Sequence, residues 1–328
     1  MKILSKYRKP LQVGFAAVVV ACIAWTVVAN WSSFSTSVGR MDPWWLVGSA
    51  LAGFAGVALS MLAWRAIVIA FGHRISVREA GYVVFVSQIG KYIPGGVWPI
   101  VAGSQLGRRA GLPTATTVVT LTAQLGVSLV TGSTLAVGAL FGFPALRQYA
   151  PLLIALVAIG VIALLPPVMR LVLGWMFTLM RRRDELPQLR SLPLLSAVGW
   201  SLASWGAFGV HLWCIVSALG PVDPAAILPA VFGYSLAWVA GFLAVIAPAG
   251  AGVREAILAL VLANTVAAGS ILGIVLVSRF LLIIVDVAVC VYAVVRGRVT
   301  AVVVHPESAD AADLDPPAES GTPTPDPR

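Results

Sequence analysis

Charged residues are scarce in this sequence: Asp, Glu, Lys and Arg make up 11% of 328 residues, against about 25% in soluble domains. Hydrophobic residues reach 59%. They gather in runs of about 20 residues or more, the length that crosses a bilayer, and no remaining stretch is suited to a separate soluble domain. The composition therefore predicts an all-α integral membrane protein, a polytopic helix bundle.

Cysteine and histidine are also rare, with three of each. The cysteines fall inside apolar runs and read as buried thiols, and the histidines are too far apart for metal-ligand spacing. Phosphate-binding loops of the GxxxxGK[ST] type and GxSxG elbows are missing. We expect no cofactor, no metal and no direct use of ATP. The residues concerned are Cys22, Cys214, Cys290, His73, His211 and His305.

Acidic residues are few and unevenly placed. Residues 1–298 contain 21 Lys and Arg against 7 Asp and Glu, whereas residues 299–328 contain one Arg against six acids. The basic residues lie between apolar runs, where membrane orientation and anionic lipid explain them, so nucleic acid is not an expected partner. We predict a membrane domain over 1–298 and a disordered, acidic, Pro-rich tail over 299–328.

Seven apolar runs are long enough to cross the membrane. Two shorter stretches, 82–103 and 248–263, are interrupted by Gly and Pro and contain charge. The seven runs are Leu11 to Trp31, Pro43 to Phe71, Thr114 to Phe143, Pro151 to Met180, Leu192 to Leu219, Ala225 to Ala247 and Val266 to Val295.

Lys and Arg between the runs predict the orientation, because such residues favour the cytoplasmic side. If residues 82–103 crossed fully, Arg108, Arg109 and then the cluster at 181–183 would lie outside. If the stretch enters and returns, every strongly basic loop is cytoplasmic. We therefore predict about eight spans in the cytoplasmic membrane, both termini inside, with a re-entrant 82–103. A second re-entrant hairpin at 248–263 is the alternative.

The interruptions read "GKYIPGG" and "APAGAG". An unpaired peptide group costs several kcal/mol in hydrocarbon, so non-helical backbone at membrane depth needs cover from protein or a water-filled cavity. Paired interrupted segments indicate a substrate site in transporters, whereas a kinked, packed helix is the structural alternative for each. The site residues predicted from the breaks are Pro94, Gly95, Gly96, Pro248, Gly250 and Gly252.

Ionisable residues accompany both breaks, and such residues within a membrane indicate function. Arg279 and Asp286 lie seven positions apart in the last run, about 10 Å along a helix, so each is expected to meet a partner on another element. Arg254 and Glu255 could neutralise each other, or Glu255 could favour the start of its helix. The surplus of cations suits an anionic head group such as a phosphate. The predicted polar site residues are Gln88, Lys91, Arg254, Glu255, Arg279 and Asp286.

Three segments, "GKYIPGGVWP", "GSQLGRRAGLP" and "APAGAGVREAIL", resemble the paired motifs of the flippase-like family that shares the transmembrane region of lysylphosphatidylglycerol synthetase. The resemblance covers roughly Leu11 to Arg298. It implies a helix bundle with re-entrant segments that moves an anionic or head-group-modified lipid between leaflets. One departure concerns cargo, since "PAGAG" stands where "PGGLG" is expected.

The resemblance implies a transporter rather than an enzyme, because the soluble transferase domain of the lipid-aminoacylating members has no counterpart here. The expected cargo is an aminoacyl phospholipid or a polyprenyl-phosphate-linked sugar, and another enzyme would make it. Two rival functions stay open: an integral membrane glycosyltransferase acting on polyprenyl-linked sugars, and a scaffold that binds anionic lipid without moving it.

Overall fold

The computed structural model describes residues 31–92, 97–141, 148, 150–179, 190–244, 252–263 and 266–301. Within these ranges the regular elements are all helical. They are α1 (Trp31–Val38), α2 (Pro43–Ala70), α3 (Val77–Gln88), α4 (Trp98–Arg109), α5 (Thr114–Ala136), α6 (Ala150–Ala163), α7 (Pro166–Leu179), α8 (Ser191–Ser217), α9 (Ile227–Leu243), α10 (Val253–Leu262) and α11 (Ala268–Ala301), with 3₁₀ turns at Ile89–Tyr92, Val137–Phe141 and Pro224–Ala226.

Four helical segments of the described chain are long and apolar enough to cross a membrane. Each coincides with a predicted run, but the count of eight is not confirmed. The first predicted run, Leu11 to Trp31, lies outside the described residues except for Trp31. Helix α8 has 27 residues but is not among the four. The four are Pro43–Ala70, Thr114–Leu140, Pro224–Leu243 and Ser270–Arg296.

The predicted run from Pro151 to Met180 is not one straight helix. The segments Val157–Leu164 and Pro167–Trp175 meet at an angle of 86°. Pro166 and Pro167 explain the break, because a proline lacks the backbone N–H and clashes with the preceding turn. At the carboxyl end, α11 continues to Ala301 and so includes the first three residues of the predicted tail; the rest of the tail lies outside the described residues.

Helices α2 and α8 form the centre of the bundle and run antiparallel. The Asp42 N–H donates to the Ala218 carbonyl at 2.9 Å, and the Arg190 N–H donates to the Ala70 carbonyl at 3.0 Å. Each end of α2 therefore lies beside the opposite end of α8. Between these ends the Trp64 side chain of α2 is fully buried, and its indole N–H donates to the Thr120 hydroxyl of α5 at 3.2 Å.

One end of the bundle is basic. Arg78, at the start of α3, donates to the Arg296 carbonyl near the end of α11, and the contact between Ala70 and Arg190 lies at the same end because α3 follows α2 after six residues. We call this the basic end; its exposed arginines are Arg74, Arg78, Arg108, Arg109, Arg190 and Arg296.

Helices α3 and α4 form an antiparallel hairpin, termed hairpin 1 (residues 77–109). A side chain at Gly90 would lie 2.9 Å from the Pro99 backbone nitrogen, so the two backbones nearly touch. Gly103 faces Ser87. Arg109 donates to the Tyr82 hydroxyl at 3.4 Å. These pairs approach each other in reverse order, and the chain therefore returns to the basic end. Residues 93–96, which join the helices, lie outside the described residues.

Helices α9 and α10 form a second pair, termed hairpin 2 (residues 227–262). Gly233 is packed under Val261, since a Cβ at that glycine would lie 2.3 Å from Val261 Cγ1. Pro229 and Leu262 line one shared apolar pocket. The start of α9 is thus beside the end of α10, which makes the helices antiparallel. With 10 residues, α10 is about 15 Å long, half of a bilayer core.

The two hairpins enter the bundle from opposite ends. Hairpin 1 opens at the basic end. Hairpin 2 begins shortly after α8 ends, at the end where Asp42 meets Ala218. The described residues nearest the two connections, in the turn Ile89–Tyr92 of hairpin 1 and in α10 of hairpin 2, therefore approach the bundle interior from opposite ends, and both contact α11.

Close packing of α8 against α9 yields a prediction with an internal control. A Cβ at Gly209 would lie 2.7 Å from the Val231 backbone, whereas one at Gly206 meets nothing within 4 Å. Gly209→Ala should therefore push the helices apart and destabilise the fold by about 1–3 kcal/mol. Gly206→Ala should be neutral or stabilising by up to about 1 kcal/mol, because alanine favours helix.

Thermal melting of the two purified variants in one detergent measures the difference. Equal melting temperatures would show that α8 and α9 are not in this close contact.

Candidate functional site

The most buried charge of the described chain is Asp286, in the middle of α11, with 2% of its surface exposed. Lys91 of hairpin 1 places its Nζ 2.6 Å from Asp286 Oδ2. The Tyr92 hydroxyl donates to the same oxygen at 2.5 Å. A buried charge is tolerated when it is paired and hydrogen-bonded, and these contacts fulfil that condition. The 3₁₀ turn that follows α3 thus delivers both groups to α11.

A second ion pair joins α11 to hairpin 2. Arg279 donates to Oε1 of Glu255, while Oε2 of that carboxylate accepts the Gly252 N–H at 2.5 Å. Gly252 has a φ of +88°, a conformation that glycine adopts without a steric penalty. Glu255 therefore caps the first turn of α10 and also binds Arg279. It pairs with this residue of another helix rather than with its neighbour in the sequence.

Arg254 has a different environment. Its guanidinium donates to the Tyr234 hydroxyl at 2.6 Å and lies 4.9 Å from the centroid of that ring. Tyr234 is in turn stacked on Phe208, with centroids 5.3 Å apart. Among the described residues, no carboxylate forms an ion pair with Arg254. This half-buried cation is held by an aromatic face and a hydroxyl.

These three groups form one charged cluster. Arg279 and Asp286 lie on the same face of α11, about 10 Å apart. Arg254 and Arg279 are both close enough to the Tyr92 hydroxyl to interact with it electrostatically. Asp286 interacts in the same way with the Tyr234 hydroxyl, so the two hairpins and α11 share one charged region. Three cations against two carboxylates give the cluster a formal charge of +1. Its members are Lys91, Tyr92, Tyr234, Arg254, Glu255, Arg279 and Asp286.

All five charged residues predicted for the site belong to this cluster. Gln88 lies half-buried at the end of α3, and no described contact joins it to the cluster. Gly252 has the role given above. The other predicted positions, Pro94, Gly95, Gly96, Pro248 and Gly250, are outside the described residues. Sequence reasoning missed Tyr92 and Tyr234; the position of Tyr92, directly after Lys91 within the break, was an available signal.

Other polar groups of the bundle mainly connect helices, although the ring of His211 also has an edge contact with the Tyr234 ring of the cluster, with centroids 6.2 Å apart. His211 of α8 is fully buried between Ser49 of α2, at 2.8 Å, and Ser278 of α11, at 2.9 Å. Gln124 of α5 donates to the Ser60 carbonyl at 2.8 Å. This is the interhelical bonding expected of such residues in membranes. No set of three or more potential metal ligands occurs in the described part of the chain.

Comparison with known families identifies the family of the chain. Residues 12–290 match the family described as the lysylphosphatidylglycerol synthase TM region. The chain belongs to this family. The match includes both interruptions and the whole charged cluster, and it confirms the family predicted from the motifs. No curated protein matches the chain. Membership of the lysylphosphatidylglycerol synthase TM region family makes this a membrane protein related to lipid synthesis or transport.

The ion pair between Lys91 and Asp286 can be tested by a double-mutant cycle. Lys91→Ala leaves a buried carboxylate without its cation and should lower thermal stability more than Asp286→Ala, because Lys91 is the more exposed partner. The double variant should recover part of the loss, with a coupling of about 0.5–3 kcal/mol. Additive losses in detergent melting experiments would show that the two side chains do not interact.

Proposed function

We propose that this protein is a lipid flippase that moves an anionic or head-group-modified lipid across the cytoplasmic membrane. The observation that supports it most is the convergence of two interrupted hairpins from opposite ends on one charged helix. Transporter sites commonly lie where such broken segments meet near the bilayer midplane. The match to the lysylphosphatidylglycerol synthase TM region family agrees with a lipid cargo.

The cluster favours a phosphate-containing head group. Arginine binds phosphate through two parallel N–H donors, and lysine adds a point charge. Arg254 has no carboxylate partner among the described residues and is therefore the first contact we assign to the cargo. Lys91 and Arg279 follow when the phosphate displaces Asp286 and Glu255. The acyl or prenyl chain stays in lipid, so only the head group enters the bundle.

The two ion pairs act as gates in this proposal. Lys91 with Asp286 holds hairpin 1, which opens at the basic end, and Arg279 with Glu255 holds hairpin 2, which opens at the other end. Release of one hairpin from α11 exposes the cluster to one side only. Alternating release moves the head group between leaflets while its charge stays among polar partners.

The membrane arrangement that fits the gates has two re-entrant hairpins rather than eight full spans. Both hairpins return to the end where they start, and α10 is too short to cross alone. The basic end is assigned to the cytoplasm, because arginines gather there and the positive residues of short loops favour that side. Both termini are then cytoplasmic.

The rival functions are chemical modification of a polyprenyl-linked sugar and lipid binding without movement. Proteoliposomes with head-group-labelled phosphatidylglycerol or a polyprenyl phosphate in one leaflet distinguish them. Movement without chemical change supports a flippase. A new product would support the enzyme, and saturable binding without movement would support the scaffold.

Substitution of Arg254 tests the role of the cluster in transport. Arg254→Gln removes the charge but keeps a side chain able to hydrogen bond with Tyr234, and it should lower initial transport at least tenfold. Arg108→Gln is the matched control, since Arg108 is exposed at the basic end and outside the cluster; it should transport at the wild-type rate. Equal rates for both variants would remove Arg254 from the site.

A further inference from the structure

We propose that Asp286 is a proton-binding site and that the protein takes up one proton at Asp286 for each anionic lipid it binds. The inference rests on the proposed function and identifies its coupling ion. It follows from the unequal burial of the two partners in one ion pair. The Lys91 side chain is 36% exposed, whereas that of Asp286 is 3% exposed.

This difference decides which partner can meet the cargo. Lys91 lies at the open side of the pair and can turn toward a phosphate. Asp286 is enclosed by the bundle and cannot follow. When Lys91 binds the phosphate, Asp286 loses its cation and also faces a new negative charge nearby. A buried carboxylate in that position neutralises itself by taking a proton rather than staying charged.

The surroundings of Asp286 are suited to both protonation states. Lys91 and the Tyr92 hydroxyl both contact Oδ2, so Oδ1 takes no part in these contacts and is the oxygen we assign to the proton. The ionised state is stabilised by Lys91 and Tyr92, and the protonated state keeps the Tyr92 hydrogen bond. The proton comes from water and returns to water when the lipid leaves.

Other titratable and charged groups near Asp286 do not replace Lys91. Tyr234 of α9 and Cys290 of α11 are within electrostatic range but carry no positive charge. Arg279 is bound to Glu255 in the empty site and is assigned to the phosphate in the loaded site. Arg254 is bound to Tyr234 and is assigned to the phosphate. His211, on α8, is held between Ser49 and Ser278.

Proton uptake also determines the net charge that crosses the membrane with each lipid. A phosphodiester lipid carries one negative charge, and one accompanying proton makes its transfer electroneutral. Transport of such a lipid should therefore respond to a pH gradient and be insensitive to membrane potential.

The test is the pH dependence of lipid binding by the full chain in phosphatidylcholine nanodiscs, with short-chain phosphatidylglycerol as the probe, between pH 5.5 and 8.5. Its phosphodiester does not titrate in this range. Wild-type affinity should rise as the pH falls, by up to tenfold per pH unit, the slope of one proton per lipid. A pH indicator in weak buffer should record the same uptake in wild type without any substitution.

Two variants and one control assign the proton. Asp286→Asn cannot ionise and should lose the pH slope while still binding the lipid. Lys91→Gln should lose it as well, because Asp286 then holds its proton before the lipid arrives. His73→Ala removes a histidine next to the basic end and should keep the wild-type slope.

The outcomes separate this proposal from the flippase itself. Binding and transport with no pH slope in wild type would overturn proton coupling and leave transport intact. A slope that persists in Asp286→Asn would assign the proton to another group and overturn the role of Asp286. If neither phosphatidylglycerol nor a polyprenyl phosphate is bound, both proposals fail.

Discussion

The arrangement of this protein depends on one requirement: a charge placed inside an apolar bundle needs a partner of opposite sign. Asp286 and Arg279 introduce one charge of each sign into α11, and each is matched by a residue from a different hairpin. Because α11 can satisfy neither charge along its own length, the hairpins are held at its middle. The same requirement explains why the charged residues beside each interruption, Lys91 and Glu255, face α11 instead of lipid.

The stability of the bundle and the position of the hairpins depend on different interactions. Packing comes from helices such as α2 and α8, whose glycines allow close approach, as at Gly56 under the Phe208 ring. The ion pairs add little net stability, since desolvation of both charges offsets much of their attraction. The main effect of the two ion pairs is to fix which residues of each hairpin face α11. A single register of the hairpins follows, and it brings Arg254 beside both pairs.

Much of this organisation could be predicted from the sequence, because its signals are local. Gly and Pro beside Lys91 or Arg254 mark the breaks, and the spacing of Arg279 and Asp286 shows that they cannot pair with each other. The partners could not be predicted, since three cations and two carboxylates allow several pairings and only the fold selects one. Glu255 illustrates this: its nearest cation in sequence is Arg254, but its partner is Arg279. The bend at Pro166 and Pro167 could also have been predicted from the two prolines. It was missed because the run was assigned as one span from its hydropathy alone.

The carboxylates also explain how the proposed anion site could be stable in a membrane before any lipid is bound. Three uncompensated cations inside a bundle would be costly to fold, and a phosphate cannot stabilise them before it arrives. Glu255 and Asp286 neutralise two of them in the empty site, and a carboxylate presents two oxygens to the same donors that a phosphate would use. In the proposed flippase, cargo binding is then an exchange of one anion for another instead of the filling of an empty charged cavity. Such an exchange has a small net free energy, which favours release on the far side as much as capture on the near side.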